Sequence, residues 1–168
     1  MPRPVDRSRA IGEYDGALRD IVHALKYDGR RSLARPLAAM MAKEGADVLA
    51  SADAVVPVPL HRSRRRERGF DQAMDLSKAL GSEWCVALRR VRATESQASL
   101  PAAQRHRNVR SAFQVTRRAE SLRGAIVVLV DDVSTTGATL DACAVALKAA
   151  GVREVRALTA ARVVTGPR

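Results

Sequence analysis

The sequence predicts an α/β fold, with a mainly parallel central sheet flanked by helices. Three observations carry this. Short apolar runs rich in β-branched residues, at 54–59 (AVVPVP), 126–130 (IVVLV) and 155–161, read as strands. Apolar residues between the runs recur at helical spacing. Glycine stands where those helices should end, at Gly29 and Gly151. Strands alternating with helices give parallel pairing through crossovers. The 168 residues suit a single domain over residues 1–168 with a sizeable core.

The elements follow in order. Residues 1–12 read as a polar lead-in. Tyr14, Leu18, Ile21, Val22 and Leu25 share one helical face, and Asp28-Gly29 ends that helix. Lys26 lies in its last turn, where a cation complements the helix dipole. Leu33, Leu37, Met40, Met41 and Val48 mark a second helix, with Pro36 in its first turn. The strand at 54–59 should stop near Pro57 and Pro59. Next comes a basic loop, LHRSRRRERGFDQ, and a helix turning Phe70, Ala73, Met74 and Leu80 inward. Residues 84–88 read as a strand and 89–112 as a long polar segment, its middle structured by Pro101. Residues 113–115 read as an edge strand, and 126–130 as the central one. The segment 136–150 holds a loop and a helix, and 155–161 closes the sheet.

The central stretch, VVLVDDVSTTGAT, carries the chemistry. Its apolar run suits a strand buried on both faces. Asp131 and Asp132 end the run; paired carboxylates are costly in a core, so they belong at the open carboxyl end where α/β sheets bind ligands. Ser134, Thr135, Thr136, Gly137 and Thr139 then make a hydroxyl-rich turn into a helix, whose backbone N–H groups and dipole suit a phosphate. Paired acids beside a phosphate loop fit vicinal hydroxyls plus phosphate, as in ribose 5-phosphate. A Walker B reading lacks its GxxxxGK[ST] partner. A receiver-like acid pocket would follow the first strand, not a late one.

Composition bounds the function. With 46% hydrophobic residues the chain is globular, and no apolar run nears the roughly 20 residues of a membrane span. Two cysteines, Cys85 and Cys143, read as buried thiols of a reducing compartment, so the expected location is cytoplasmic. The net charge is +11, with the excess clustered at 62–118, which points to polyanionic ligands: phosphorylated metabolites or nucleic acid. Aromatics at 3% argue against a stacking surface for single strands.

The central stretch resembles the fingerprint of the type I phosphoribosyltransferases: four apolar residues, two acids, and a Thr-rich loop with Gly and a closing Thr. VPVPLHRSRRRERGFDQA further resembles the signature of the ComF family, phosphoribosyltransferase-like proteins associated with natural competence. RVRATESQASLPAAQRHRNV is similar to that family's next block, and the KYDG end of the first helix fits as well. The family's usual four-cysteine zinc module has no counterpart here, and Asp71 stands where Asn is usual.

The resemblance implies the type I phosphoribosyltransferase fold, the donor phosphoribosyl diphosphate, Mg²⁺ as cofactor and an unidentified acceptor. Asp131 and Asp132 would hold the ribose hydroxyls. Val133, Ser134, Thr135, Thr136, Gly137, Ala138 and Thr139 would surround the 5-phosphate. His61, Arg62, Arg64 and Arg68 would bind diphosphate, Arg bidentately. Arg65 and Arg66 should face solvent. Arg92, Thr94, Gln97 and Arg107 would belong to a lid, with Arg92 catalytic beside the two acids. No direct protein ligation of the metal is expected, because Mg²⁺ keeps water and substrate oxygens. Three readings stay open: a transferase, a non-catalytic sensor of the donor or a nucleotide, and a DNA-handling competence factor. DNA or a competence protein is the partner on the last reading.

Overall fold

The computed structural model describes residues 3–92 and 111–164. Thr94, Gln97, Arg107 and Pro101 lie outside them. Strands β1 (Arg7–Glu13), β2 (Ala54–Pro57), β3 (Leu88–Arg90), β4 (Phe113–Val115), β5 (Ile126–Ser134) and β6 (Glu154–Arg162) alternate with helices. These are α1 (Gly16–Tyr27), α2 (Ala34–Glu44), α3 (Ala46–Leu49), α4 (Arg62–Arg68), α5 (Gln72–Ala79) and α6 (Ala138–Ala149). Four strands form a parallel sheet in the order β1-β6-β5-β2, and β3 pairs with β4 antiparallel.

β5 organises the layers. Val128 and Val130 pack on one face with Val22 and Leu25 of α1, Leu37 and Met41 of α2 and Leu76 of α5. Val127 and Leu129 pack on the other with Leu140, Cys143 and Leu147 of α6, and with Leu88 and Phe113. Both faces are buried, which is why the run carries no polar alternation. Each fully buried Val or Leu contributes on the order of 1.5–3 kcal/mol.

Four expectations need correction. The polar lead-in is strand β1, paired to β6 from Arg7↔Arg156 to Glu13↔Arg162. An edge strand is held through its backbone, so its side chains need no apolar pattern. The basic loop is helix α4. The His61 side chain accepts from Ser63 N at its start, and Gly69, at φ 81°, closes it in the left-handed region where Gly is unstrained. No α4 residue is buried, so no amphipathic signal exists. Residues 84–88 form only an isolated bridge, Val55↔Trp84, and pairing begins at Leu88. In α2 the buried face is Ala34, Leu37, Ala38 and Met41, while Met40 is exposed.

The second helical segment breaks at Gly45, which packs against the sheet. A Cβ there would meet Leu158 Cδ1 at 2.5 Å and Met41 O at 2.7 Å. Its φ of −98° suits any residue, so close approach alone requires Gly. Gly45→Ala should destabilise the fold by about 1–3 kcal/mol through this overlap. Urea unfolding that gives equal stability for variant and wild type would refute the packing argument.

Candidate functional site

The carboxyl ends of β5 and β2 part company at the sheet's top. The pairing of β2 with β5 ends at Pro57↔Val130, and Val58 N donates to Val130 O at 2.9 Å. From Asp131 onward β5 keeps only β6 as a neighbour, through Asp131↔Thr159 to Ser134↔Arg162. Of the two helices after β2, α5 packs on one face, and the helix after β5, α6, packs on the other. That divergence opens the crevice in which α/β sheets bind ligands. The acids do not end β5, as the sequence suggested; they extend it past its β2 partner.

Strand alternation sends the two side chains out of β5 in opposite directions, but their carboxylates stay close enough to interact. Asp132 is buried beneath α1, with Lys26 Nζ 3.1 Å from its Oδ2. The contact is an ion pair without hydrogen-bond alignment, and Oδ2 has no hydrogen-bond partner. Asp132 Oδ1 accepts from Val133 N at 2.7 Å, and Asp131 Oδ1 from Asp132 N at 2.8 Å. Asp131 faces α6, where its charge interacts with Cys143 and Arg90. Burial and then the Asp132 carboxylate push Asp131 well above the usual carboxylate range, against the pull of Lys26. Burial opposes the charge on Lys26, but Asp132 and Asp131 more than offset it and hold the amine above its usual range. Burial lifts the Cys143 thiol, with Asp131 adding to the shift.

The hydroxyl-rich turn follows at once. Val133 and Ser134 finish β5, Thr135 and Thr136 are exposed, and Gly137 takes φ 81° as the residue before α6. Gly137 makes no side-chain cap; Thr136 Oγ1 accepts from Ala138 N at 3.3 Å. Ala138 is buried and Thr139 half-buried in the first turn. Ser134 to Gly137 line a cleft of about 250 Å³ with Ser8, Thr159 and Arg162. The strand–turn–helix therefore presents backbone N–H groups and a positive helix end to one small cleft.

Helix α4 sorts the basic residues. His61, Arg62 and Arg65 line a cleft of about 470 Å³ with Arg89, Arg90 and Thr116. Arg64 and Arg68 line another, of about 480 Å³, with Lys26 and Tyr27. The four side chains expected to act together on a diphosphate thus stand two and two on different sides of one helix. Arg65 and Arg66 are exposed, as expected, although Arg65 borders the first cleft. Arg68 donates to Gln72 Oε1 and lies 5.5 Å over the Tyr27 ring, so it does not pair with Asp71. Asp71 instead caps α5, accepting from Met74 N at 3.2 Å; burial raises it above the carboxylate range despite that bond. Arg92 Nη1 donates to Ser111 Oγ at 3.0 Å beside the β3–β4 ladder.

Three residues of the site escaped sequence reasoning. Lys26 was accounted for by the helix dipole, and its ion pair spans 106 positions of chain that no local pattern reveals. Arg89 and Arg90 sat in a segment read as loop, and only the short β3–β4 ladder brings them to the cleft.

Residues 40–167 match the phosphoribosyl transferase domain family. Over 149 residues the chain is 35% identical to the DNA utilization protein YhgH of Salmonella typhi, covering 83% of this chain and 64% of that protein. Over 168 residues it is 32% identical to competence protein F of Haemophilus influenzae, covering 94% and 73%. The chain thus spans just under two thirds of the YhgH relatives it matches. Among solved structures, the allosteric regulatory enzyme of purine biosynthesis aligns with a TM-score of 0.50 at 23% identity, over 77% of this chain and 25% of that one. That likeness is one of fold. No helix among the described residues is long and apolar enough to cross a membrane.

Two stability predictions follow from the charges. Lys26→Met leaves Asp132 buried without its counter-charge and should cost about 3 kcal/mol at neutral pH, with Asp132→Asn in the same background restoring most of it. Since Lys26 is raised in the fold, its contribution is present below the ordinary lysine range and is lost as pH climbs through its folded value. Denaturant titrations that show no recovery in the double variant would refute the pairing. Asp131 behaves oppositely. Its raised value means the folded chain holds that proton more tightly than the unfolded one, so wild-type stability falls as pH rises above the ordinary carboxylate range. Asp131→Asn should show a shallower decline, Asp71 still contributing its part, and parallel pH profiles for the two proteins would contradict it.

Proposed function

The chain belongs to the phosphoribosyl transferase domain family, among the relatives of competence protein F, and has the type I phosphoribosyltransferase fold; we propose that it binds phosphoribosyl diphosphate with Mg²⁺ and transfers the phosphoribosyl group to an acceptor. The observation that carries this reading is the acid pair standing directly before the phosphate loop at the open end of one buried strand. On this reading the ribose hydroxyls donate to Asp131 and Asp132. The 5-phosphate sits against residues Val133 to Thr139, held by backbone N–H groups of the turn. The diphosphate lies on the side of His61 and Arg62, where Arg89 and Arg90 add charge. Arg92, at the foot of the segment 93–110, stands where a covering segment would begin. Two free thiols suit a reducing compartment such as the cytoplasm.

Mg²⁺ fits the donor set. Two adjacent carboxylates place negative charge beside the site and could hold the ion's waters without ligating it, while Asp132 Oδ2, which lacks a hydrogen-bond partner, faces Lys26 Nζ at 3.1 Å. Among the described residues no group of three ligating side chains gathers, so substrate and water would complete the shell. When bound, the ion supplies neutralisation of the leaving diphosphate. The chain's own part is to orient the ribose and to stabilise departing charge with arginines placed in advance. The competence association of its relatives extends the proposal to a role in DNA utilisation, which the geometry alone does not require.

Isothermal titration of phosphoribosyl diphosphate with Mg²⁺ tests the assignment. Asp131→Asn with Asp132→Asn should weaken binding by tenfold or more, as each lost charge-assisted hydrogen bond costs about 1.5–3 kcal/mol. Circular dichroism should show the fold retained. Unchanged affinity in the folded double variant would remove the acids from the site.

A further inference from the structure

Helix α4 separates two clefts at the same edge of the sheet, and only one is needed for the leaving diphosphate. The second holds Lys26, Tyr27, Arg64, Glu67, Arg68 and Phe70 around about 480 Å³. Helical spacing explains the division: residues 61, 62 and 65 fall on one side of the helix, 64, 67 and 68 on another. The second cleft has three cations against one carboxylate. Lys26 forms its wall toward the acid pair through the 3.1 Å contact with Asp132. Its size falls within the usual range for small-molecule sites, and Tyr27 and Phe70 add aromatic surface to the charged rim.

Direct displacement at the ribose C1 requires nucleophile and leaving group on opposite sides of that carbon. Helix α4 stands between the two clefts, and each cleft carries a cation that interacts with the acid pair expected to hold the ribose. Arg90 of the first cleft interacts with Asp131 and with Arg64, and Lys26 of the second interacts with both acids, touching Asp132 Oδ2 at 3.1 Å. We infer that the cleft between α1 and α4 is the acceptor subsite, and that its acceptor carries an anionic group, a carboxylate or a phosphate, held by Arg64 and Arg68. This rests on the donor reading above. In the transfer, the acceptor's nucleophilic atom bonds to C1. The C1–oxygen bond breaks with its electron pair going to diphosphate, and the acceptor's proton passes to solvent.

The test uses matched pairs of compounds with the full chain: orotate against uracil, anthranilate against aniline, and adenosine 5′-monophosphate against adenosine. Each is titrated with phosphoribosyl diphosphate and Mg²⁺ present, and diphosphate release is followed. At least one anionic member should bind at least about tenfold more tightly than its neutral partner, the lower value of a charge-assisted bond. The responding pair distinguishes carboxylate from phosphate. Arg64→Gln, on an exposed side chain, should lose that preference. Arg64→Gln with Arg68→Gln should deepen the loss. Neutral partners binding as well as anionic ones would overturn the inference, as would donor affinity falling as far as acceptor affinity in Arg64→Gln. Donor binding with no response to any anionic compound would overturn the acceptor cleft alone. A wild-type protein that fails to bind the donor would instead overturn the reading on which the cleft depends.

Discussion

Two adjacent carboxylates at the end of an otherwise apolar strand set the terms for the rest of the molecule. A strand turns neighbouring side chains to opposite faces, so Asp131 and Asp132 leave β5 in different directions even though their carboxylates interact at its open end. Each needs its own environment. Asp132 obtains it from the last turn of α1, where Lys26 enters a mostly buried position. Asp131 faces α6 and stays costly to ionise. Placing both near a crevice rather than in the core is possible because β2 stops at Pro57 and leaves one side of β5 open. A ligand that donates hydroxyls to both acids would satisfy oxygens that the fold itself leaves in demand. The site thus carries an energetic debt that binding can relieve, as functional sites often do.

That arrangement depends on layers well below it. α1 reaches Asp132 because its apolar face packs on β5 and β6 with α2 beside it. α2 and α3 in turn lie against β6 closely enough that only Gly fits at position 45. Arg156 secures the end of α3, donating to Val48 O at 3.0 Å and Ala50 O at 2.6 Å, with Glu154 balancing its charge at 2.6 Å. A buried guanidinium is tolerable there because carbonyls and a carboxylate meet its donors.

The fold class and the centre of the site were legible because their signals are local. The IVVLVDD run needs burial on both faces followed by an open end, and no other arrangement accommodates that order of residues. Gly29 and Gly151 mark helix ends through positive φ, of 63° and 98°. β1 was hidden because RSRAIGE lies at an edge with little apolar alternation: Ile11 packs on the core, while Arg9 pairs with Asp47 of α3 at 2.7 Å. α4 was hidden because a helix with no buried side has no apolar period; its signals were a cap at His61 and a stop at Gly69. The ion pair of Lys26 and the division of the arginines were beyond reach for a different reason. Both are set by how helices dock on the sheet, which the pattern along the chain does not encode.

The seven-residue α4 acts as an indexing wheel. Its ends are pinned, one by the His61 cap and the other by Gly69, so the angular position of every arginine is fixed by count. Adding or deleting one residue between those pins would rotate the following side chains by about 100°. Arg65 would trade places with a neighbour, and the charges of the two clefts would be reassigned without any change in composition. Substitutions in this helix alter how much charge each cleft holds. Changes of length alter which cleft holds it, so the spacing from His61 to Gly69 is a separately constrained quantity from the arginine content.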